Sequence, residues 1–186
     1  MDRATYLLLA ALLLAVTAAI TDLQRHRIPN WLTYPGIGLG IASRGAVHPD
    51  PVFLGCYGWK GGLLSGLAGC LLAGGIMFVF FMVRAMGAGD VKIMAAIGSF
   101  VGPRQAVDIL LATAICGGIL AIGYALYRRR MISTLKNVGS VLRFHAWAGV
   151  QAHPELNLDN PAALRMPYGL AIALGTLYAF ATVLWR

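Results

Sequence analysis

Of the seven acidic residues in this 186-residue chain, two stand at the edges of long apolar runs. A carboxylate there is costly and is a functional candidate by default. Asp22 closes the first run in Ala-Ile-Thr-Asp-Leu-Gln-Arg-His-Arg-Ile-Pro-Asn-Trp-Leu, and Asp90 opens a later one in Met-Gly-Ala-Gly-Asp-Val-Lys-Ile-Met. Two carboxylates held close repel each other when both are ionised, so one retains a proton while the other is a base. Such a pair can deprotonate a water and protonate a carbonyl oxygen, which is the demand of peptide hydrolysis. Gly87 and Gly89 allow the backbone ahead of Asp90 to turn tightly and let a substrate strand approach. They also set Asp90 in the first turn of a helix, where N-terminal amides favour a carboxylate. Asp22, at the C-terminal end of its own helix, lacks that help and is the better candidate for the protonated partner.

The rest of the reactive inventory is sparse. An aspartate at a helix end is also an ordinary solvated cap, and Asp2, Asp50, Asp108, Glu155 and Asp159 read as terminus, loop or span-end acids. His26, His48, His145 and His153 lack a tight ligand spacing, and Cys56, Cys70 and Cys116 form no CxxC pair. No metal and no cofactor is expected. No Ser-His-Asp or Cys-His arrangement stands out.

The elements that must position the two aspartates follow from composition. The chain is 59% hydrophobic and 12% charged, whereas a soluble domain carries roughly 25% charged residues. Disorder, collagen and coiled coil need more polar or repeated residues. The expected fold is all-α, a polytopic membrane protein with about six transmembrane helices, and residues 1–186 read as a single integral membrane domain. Spans are expected near 4–21, 31–43, 61–83, 91–101, 105–127 and 167–185. The first reads as a retained helix rather than a signal peptide. The connection 128–166 holds Met131, Leu135, Val138 and Leu142 at helical spacing behind Arg128-Arg129-Arg130, with Lys136, Asn137 and Arg143 on other faces. That is the pattern of an amphipathic cytoplasmic helix in contact with membrane lipids, or of a basic loop that anchors topology.

Sidedness follows from Lys and Arg. Ten lie in or beside the connections after spans one, three and five, against five on the other side. The bias puts those three connections in the cytoplasm and both termini outside. The same bias accounts for the net charge of +8, so nucleic acid is not an expected partner. By counting, Asp22 and Asp90 fall at the same, cytoplasmic face.

Three segments, in order, resemble the type IV prepilin peptidases, which are GxGD-type intramembrane aspartic proteases. The first is Asp22 followed by Arg27-Ile28-Pro29-Asn30 and Leu32. The second is Gly87-Ala88-Gly89-Asp90-Val91-Lys92, continuing to Ala95 and Gly98. The third is Pro167-Tyr168-Gly169 with Ala171-Ile172-Ala173 and Gly175. The resemblance implies that Asp22 and Asp90 are the catalytic dyad. It implies that Gly87, Gly89, Lys92, Pro29, Asn30, Pro167, Tyr168 and Gly169 support it, although helix-end and packing chemistry would also use several of these residue types. It further implies removal of a short basic leader from prepilin or pseudopilin precursors, at the cytoplasmic face of a bacterial inner membrane, with the pilus assembly machinery as a possible neighbour.

The larger bifunctional members of that family carry paired CxxC motifs in an extra N-terminal region and also methylate the new pilin N-terminus. Here 21 residues precede Asp22 and no CxxC occurs, so methyltransfer is not expected. Leu170 follows Gly169 where many bifunctional members have proline. Both features are similar to the short, peptidase-only branch that serves Tad/Flp-type pili; archaeal preflagellin peptidases are short relatives too. A reading from another class is an ion-coupled transporter or proton channel using intramembrane carboxylates. Against it, both aspartates fall at one face rather than near the midplane, and no two halves of the chain resemble each other. A purely structural membrane component would leave the three segments together unexplained.

Overall fold

The computed structural model describes residues 2–25, 27–47, 52–129, 131–149, 151 and 167–185. His26, His48, Asp50, Arg130, His153, Glu155, Asp159 and Arg165 lie outside the described residues, as do the distal half of the 128–166 connection and the side chains of Leu142 and His145.

Six helices account for nearly all of the described chain: α1 (Arg3–Arg25), α2 (Asn30–Val47), α3 (Gly58–Met82), α4 (Ala88–Tyr127), α5 (Met131–Ala148) and α6 (Tyr168–Leu184). The fold is all-α, and α1, α3 and α4 are each long and apolar enough to cross a membrane, with α6 a shorter apolar helix. Large apolar side chains such as Leu13, Leu39, Leu71 and Ile119 point outward from the bundle. Lipid is the solvent that tolerates such a surface.

One element departs from the all-helical expectation. Between α2 and α3 the chain forms a two-residue antiparallel ribbon, β1 (Val52–Phe53) on β2 (Cys56–Tyr57). It is closed by Leu54 and Gly55, both at positive φ (50° and 76°), the backbone a tight hairpin requires.

The expected fourth and fifth spans are the two arms of α4. Its helical geometry breaks at Gly102 (φ 77°, ψ 176°), followed by Pro103. Only glycine adopts that backbone region readily, and proline denies the next turn its hydrogen bond. Contacts on each side of the break show that the arms run in opposite directions. On arm 88–101, Ala96, Ser99 and Phe100 pack in turn against Gly36 and Gly40 of α2. On arm 103–127, Thr113 meets Gly175 and Gly117 meets Tyr168, so this arm returns antiparallel to α6.

Close approach of backbones holds the far end of the bundle. Gly69 of α3 and Gly98 of α4 face each other so nearly that a Cβ on either would strike the other's carbonyl oxygen. Without a hydrophobic drive between helices in lipid, such small-residue contacts supply the packing. Into this end reaches Arg44, one of the five basic residues assigned above to the outer side, yet only 4% exposed. Helix α2 runs on past the expected boundary at residue 43 and carries Arg44 inward. Its Nε donates to Ser65 Oγ at 3.0 Å and a terminal NH to the Phe100 carbonyl at 2.9 Å. Its guanidinium lies beside Gly102, in the space a side chain there would need. The arginine therefore ties α2, α3 and the turn of α4 together.

Candidate active site

At the opposite end of the bundle the three segments singled out in the sequence meet. Asp22 stands in the last turn of α1, buried, with Ala18 and Ala19 on the same buried face. The expectation that it lacks support from helix amides is overturned. The Gly169 backbone N–H, in the first turn of α6, donates to Asp22 Oδ2 at 3.0 Å. The turn of α6 is opened by Pro167, whose missing N–H costs nothing there and whose carbonyl accepts from Leu170 N–H. Helix α6 thus gives Asp22 the amide end that α1 cannot, and each carboxyl is held at a helix start.

Asp90 is in the first turn of α4. Its Oδ2 accepts the Gly87 N–H at 3.2 Å, while its own N–H donates to the Gly87 carbonyl at 3.1 Å. This reciprocal pair fixes the carboxyl over the helix start. Asp90 lies within reach of the Asp22 charge, and Tyr168 within reach of Asp90's charge. Tyr168, partly buried, rests its ring against Gly117 of the returning arm. The dyad candidates are therefore held by backbone groups at the starts of α4 and α6.

The two glycines of the GxGD segment are not equivalent. Gly87 has an ordinary extended backbone (φ −78°, ψ 151°), so the expected need for a special turn is not met there. A Cβ on Gly87 would lie 3.4 Å from Asp90 Oδ2, an unstrained contact. What Gly87 contributes is its N–H. Gly89 is a close-approach residue, where a Cβ would come within 3.1 Å of Ile28 Cβ. Gly169 is tighter still: a methyl there would lie 3.0 Å from both Asp22 Cβ and Oδ2 and 3.3 Å from Ala19 Cα.

Lys92 points away from the carboxyls. Its Nζ donates to Asn30 Oδ1 at 2.9 Å and lies 5.0 Å from the Tyr34 ring centroid. Two residues along a helix face different directions, so Lys92 clamps α4 to the start of α2 while Asp90 lies within reach of the Asp22 charge. Pro29 opens α2, its carbonyl accepting Leu32 N–H at 3.1 Å. Residues 27–30 are thereby braced on α4 through Asn30 and Ile28. Tyr34 was missed as a neighbour of the site, and Ile28, quoted in the first segment, was given no role there. Tyr34 sits one helical turn after Asn30, and that spacing is the signal that could have found it.

Residues 7–122 match the profile of the Type IV leader peptidase family. Similar relatives include a prepilin leader peptidase/N-methyltransferase of Aeromonas salmonicida, 32% identical over 146 residues, covering 75% of this chain and 47% of the relative. Another of the same name, from Aeromonas hydrophila, is 30% identical over 146 residues, 75% of this chain and 48% of its own length. The chain spans about half the length of the curated relatives it matches. No solved structure matches it. With both aspartates inside the region that the profile covers, the chain belongs to the type IV leader peptidase family.

Proposed function

We propose that this chain is an intramembrane aspartic endopeptidase that removes the short basic leader from prepilin or pseudopilin precursors. The observation that carries it is the meeting of three segments remote in sequence. The Gly169 N–H holds the Asp22 carboxyl, and Asp22, Asp90 and Tyr168 interact at one end of the bundle. In the proposed reaction the ionised member of the dyad takes a proton from water, and the protonated member gives one to the scissile carbonyl oxygen. The hydroxide equivalent adds to the carbonyl carbon. Collapse of the tetrahedral intermediate then expels the amine as the dyad returns the proton to it. Lys92, Asn30, Pro29, Gly87, Gly89, Pro167, Tyr168 and Gly169 serve as positioning residues in this scheme, setting the helix ends that carry the carboxyls.

The same reading makes residues 1–186 one integral domain that crosses a bacterial inner membrane six times. The dyad then faces the cytoplasm and both termini lie outside, as the basic connections favour. Helix α5, with Ile132, Leu135 and Val138 exposed beside Lys136 and Arg143, rests on the cytoplasmic headgroups. We assign the dyad the peptidase reaction alone, on substrates of the Flp/Tad type. The curated relatives carry an N-methyltransferase name as well, but no CxxC pair occurs in these residues.

The test is co-expression with a Flp-type prepilin, followed by N-terminal sequencing and mass measurement of the product. The expected product begins immediately after the leader and is unmethylated. A precursor that keeps its full length beside the inserted, folded protein refutes the peptidase reading; a methylated product refutes only the restriction to hydrolysis.

A further inference from the structure

A groove of about 670 Å³ runs between the returning arm of α4 and α6, and none of the three family-like segments lines it. Leu8 of α1 forms its floor, fully buried. Its walls carry Leu111 and Ile115 on one side and Tyr178 on the other, all strongly exposed. Two features give it a direction. At one end Cys116 adjoins Gly117, against which the Tyr168 ring packs, and Tyr168 reaches the Asp90 charge. At the other end, remote from the dyad, the lining turns polar with Gln105, Asp108 and Thr182. The groove is thus apolar where it leaves the catalytic end and polar where it approaches the opposite membrane surface.

We infer that this groove is the docking surface for the apolar helix of the substrate, the segment directly after the scissile bond. The inference rests on the peptidase reading above and adds the face on which the substrate lies. Continuity with the dyad selects this occupant. A helix seated along α6 from the level of Tyr168 has its N-terminal end beside Asp90, which is where a bond preceding that helix must be cut. The longer wall, from Gln105 to Cys116 of α4, is roughly 16 Å at 1.5 Å per residue, about half the apolar depth of a bilayer. A helix about 10 Å across and ten residues long occupies on the order of 1,200 Å³. The groove therefore takes about half of its cross-section and leaves the rest in lipid. An occupant that is bound along one face and must be released after cleavage needs no deeper site.

The native Cys116 provides the probe. The enzyme is reduced to that single cysteine by Cys56→Ser and Cys70→Ser and made inactive by Asp90→Asn, which holds the precursor uncut. It is then co-expressed with prepilins carrying one cysteine at successive positions of the apolar helix, and disulfides are formed with a membrane-permeant oxidant. Cross-links at positions spaced three or four residues apart, with none between, are the expected result. In parallel, Ile115→Trp in the active enzyme narrows the groove and should raise KM on the order of tenfold with kcat retained, the mark of lost uniform binding. No cross-link at any position, cross-links without helical spacing, or an unchanged KM overturns the docking surface, a lipid chain being then the groove's occupant. Processing by the single-cysteine enzyme with Asp90 intact is measured alongside. If it cuts while the cross-links fail, the groove assignment falls and the peptidase stands; if the wild-type chain cuts no precursor, both fall.

Discussion

Gly169 offers the sharpest test of how the dyad is held. Its N–H reaches Asp22 Oδ2 at 3.0 Å only because α6 crosses α1 without a side chain between them. Replacing it by alanine puts a methyl 3.0 Å from Asp22 Cβ and Oδ2 and 3.3 Å from Ala19 Cα. Ordinary carbon contacts lie at about 3.5–4.0 Å, so the start of α6 must move away from α1 by roughly half an ångström. The nearest obstacles are Cβ and backbone atoms, which cannot swing aside. Overpacking of this kind costs about 1–3 kcal/mol, and the hydrogen bond to Asp22 lengthens by a similar distance. Since a misplacement of about 1 Å can cost a hundredfold in rate, half of it sets an expected loss on the order of tenfold in kcat. Gly87→Ala is the matched control. It too donates its own N–H to an aspartate carboxyl, but its methyl would meet Asp90 Oδ2 at an unstrained 3.4 Å on an ordinary backbone. It should lose at most about 1 kcal/mol of helix capping and less than threefold in kcat. The assay is the initial rate of prepilin cleavage by purified variants in detergent, with melting temperature measured on the same samples. Equal losses for the two variants would falsify the claim that the α1–α6 approach positions Asp22, and so would an unimpaired Gly169→Ala.

Three other substitutions probe separate links. Asp22→Asn and Asp90→Asn should each abolish cleavage in the co-expression assay, while Asp2→Asn, at the exposed start of the chain, should cut normally; residual turnover by either dyad variant at the wild-type rate removes the aspartic mechanism. Gly102→Ala forces a methyl into the Arg44 guanidinium on a backbone that only glycine accepts, at a cost of about 3 kcal/mol or more, and should show little protein in the membrane fraction; normal accumulation with an unchanged melting temperature would contradict the account of the α4 turn. Lys92→Met loses the bond to Asn30 and the Tyr34 contact, but both are solvent-accessible and worth under about 1 kcal/mol together. Cleavage should fall only severalfold, and a loss as complete as that of Asp90→Asn would make Lys92 a participant in the chemistry.

The two aspartates that the bundle brings within reach of each other were legible in the sequence because carboxylates are rare in so apolar a chain, and an acid at the edge of a span stands out by cost alone. The helical bundle was legible for the same reason. What escaped was set by partners rather than by residue type. Arg44 looks like a boundary charge, because nothing in Ser-Arg-Gly-Ala-Val announces that Ser65 and the Phe100 carbonyl will receive it. The amide help for Asp22 comes from Gly169, 147 residues away, and no local pattern reports a contact between two helix ends. Gly87 and Gly89 look alike in a GxGD segment, yet one offers an N–H and the other an absent side chain. The ribbon at Val52–Tyr57 is too short for its alternation to be distinguished from a loop.

The arrangement has a consequence for how the site works. Each carboxyl is fixed by a backbone amide of a helix start, Asp90 by Gly87 of its own helix and Asp22 by Gly169 of another. Asp90 therefore keeps its support wherever α4 goes, whereas the support of Asp22 depends on where α6 lies against α1. The same α6 forms one wall of the groove assigned above to the substrate helix. A helix entering that groove presses on the element that holds Asp22, so binding and the spacing of the two acids are mechanically linked. The link predicts that filling the groove disturbs Asp22 more than Asp90. An apolar peptide corresponding to the substrate helix, lacking the leader, should change the rate at which a carbodiimide modifies Asp22 while leaving the rate at Asp90 the same, as read by peptide mass mapping. Equal changes at both aspartates would mean that the peptide occludes the site as a whole, and the coupling through α6 would be wrong.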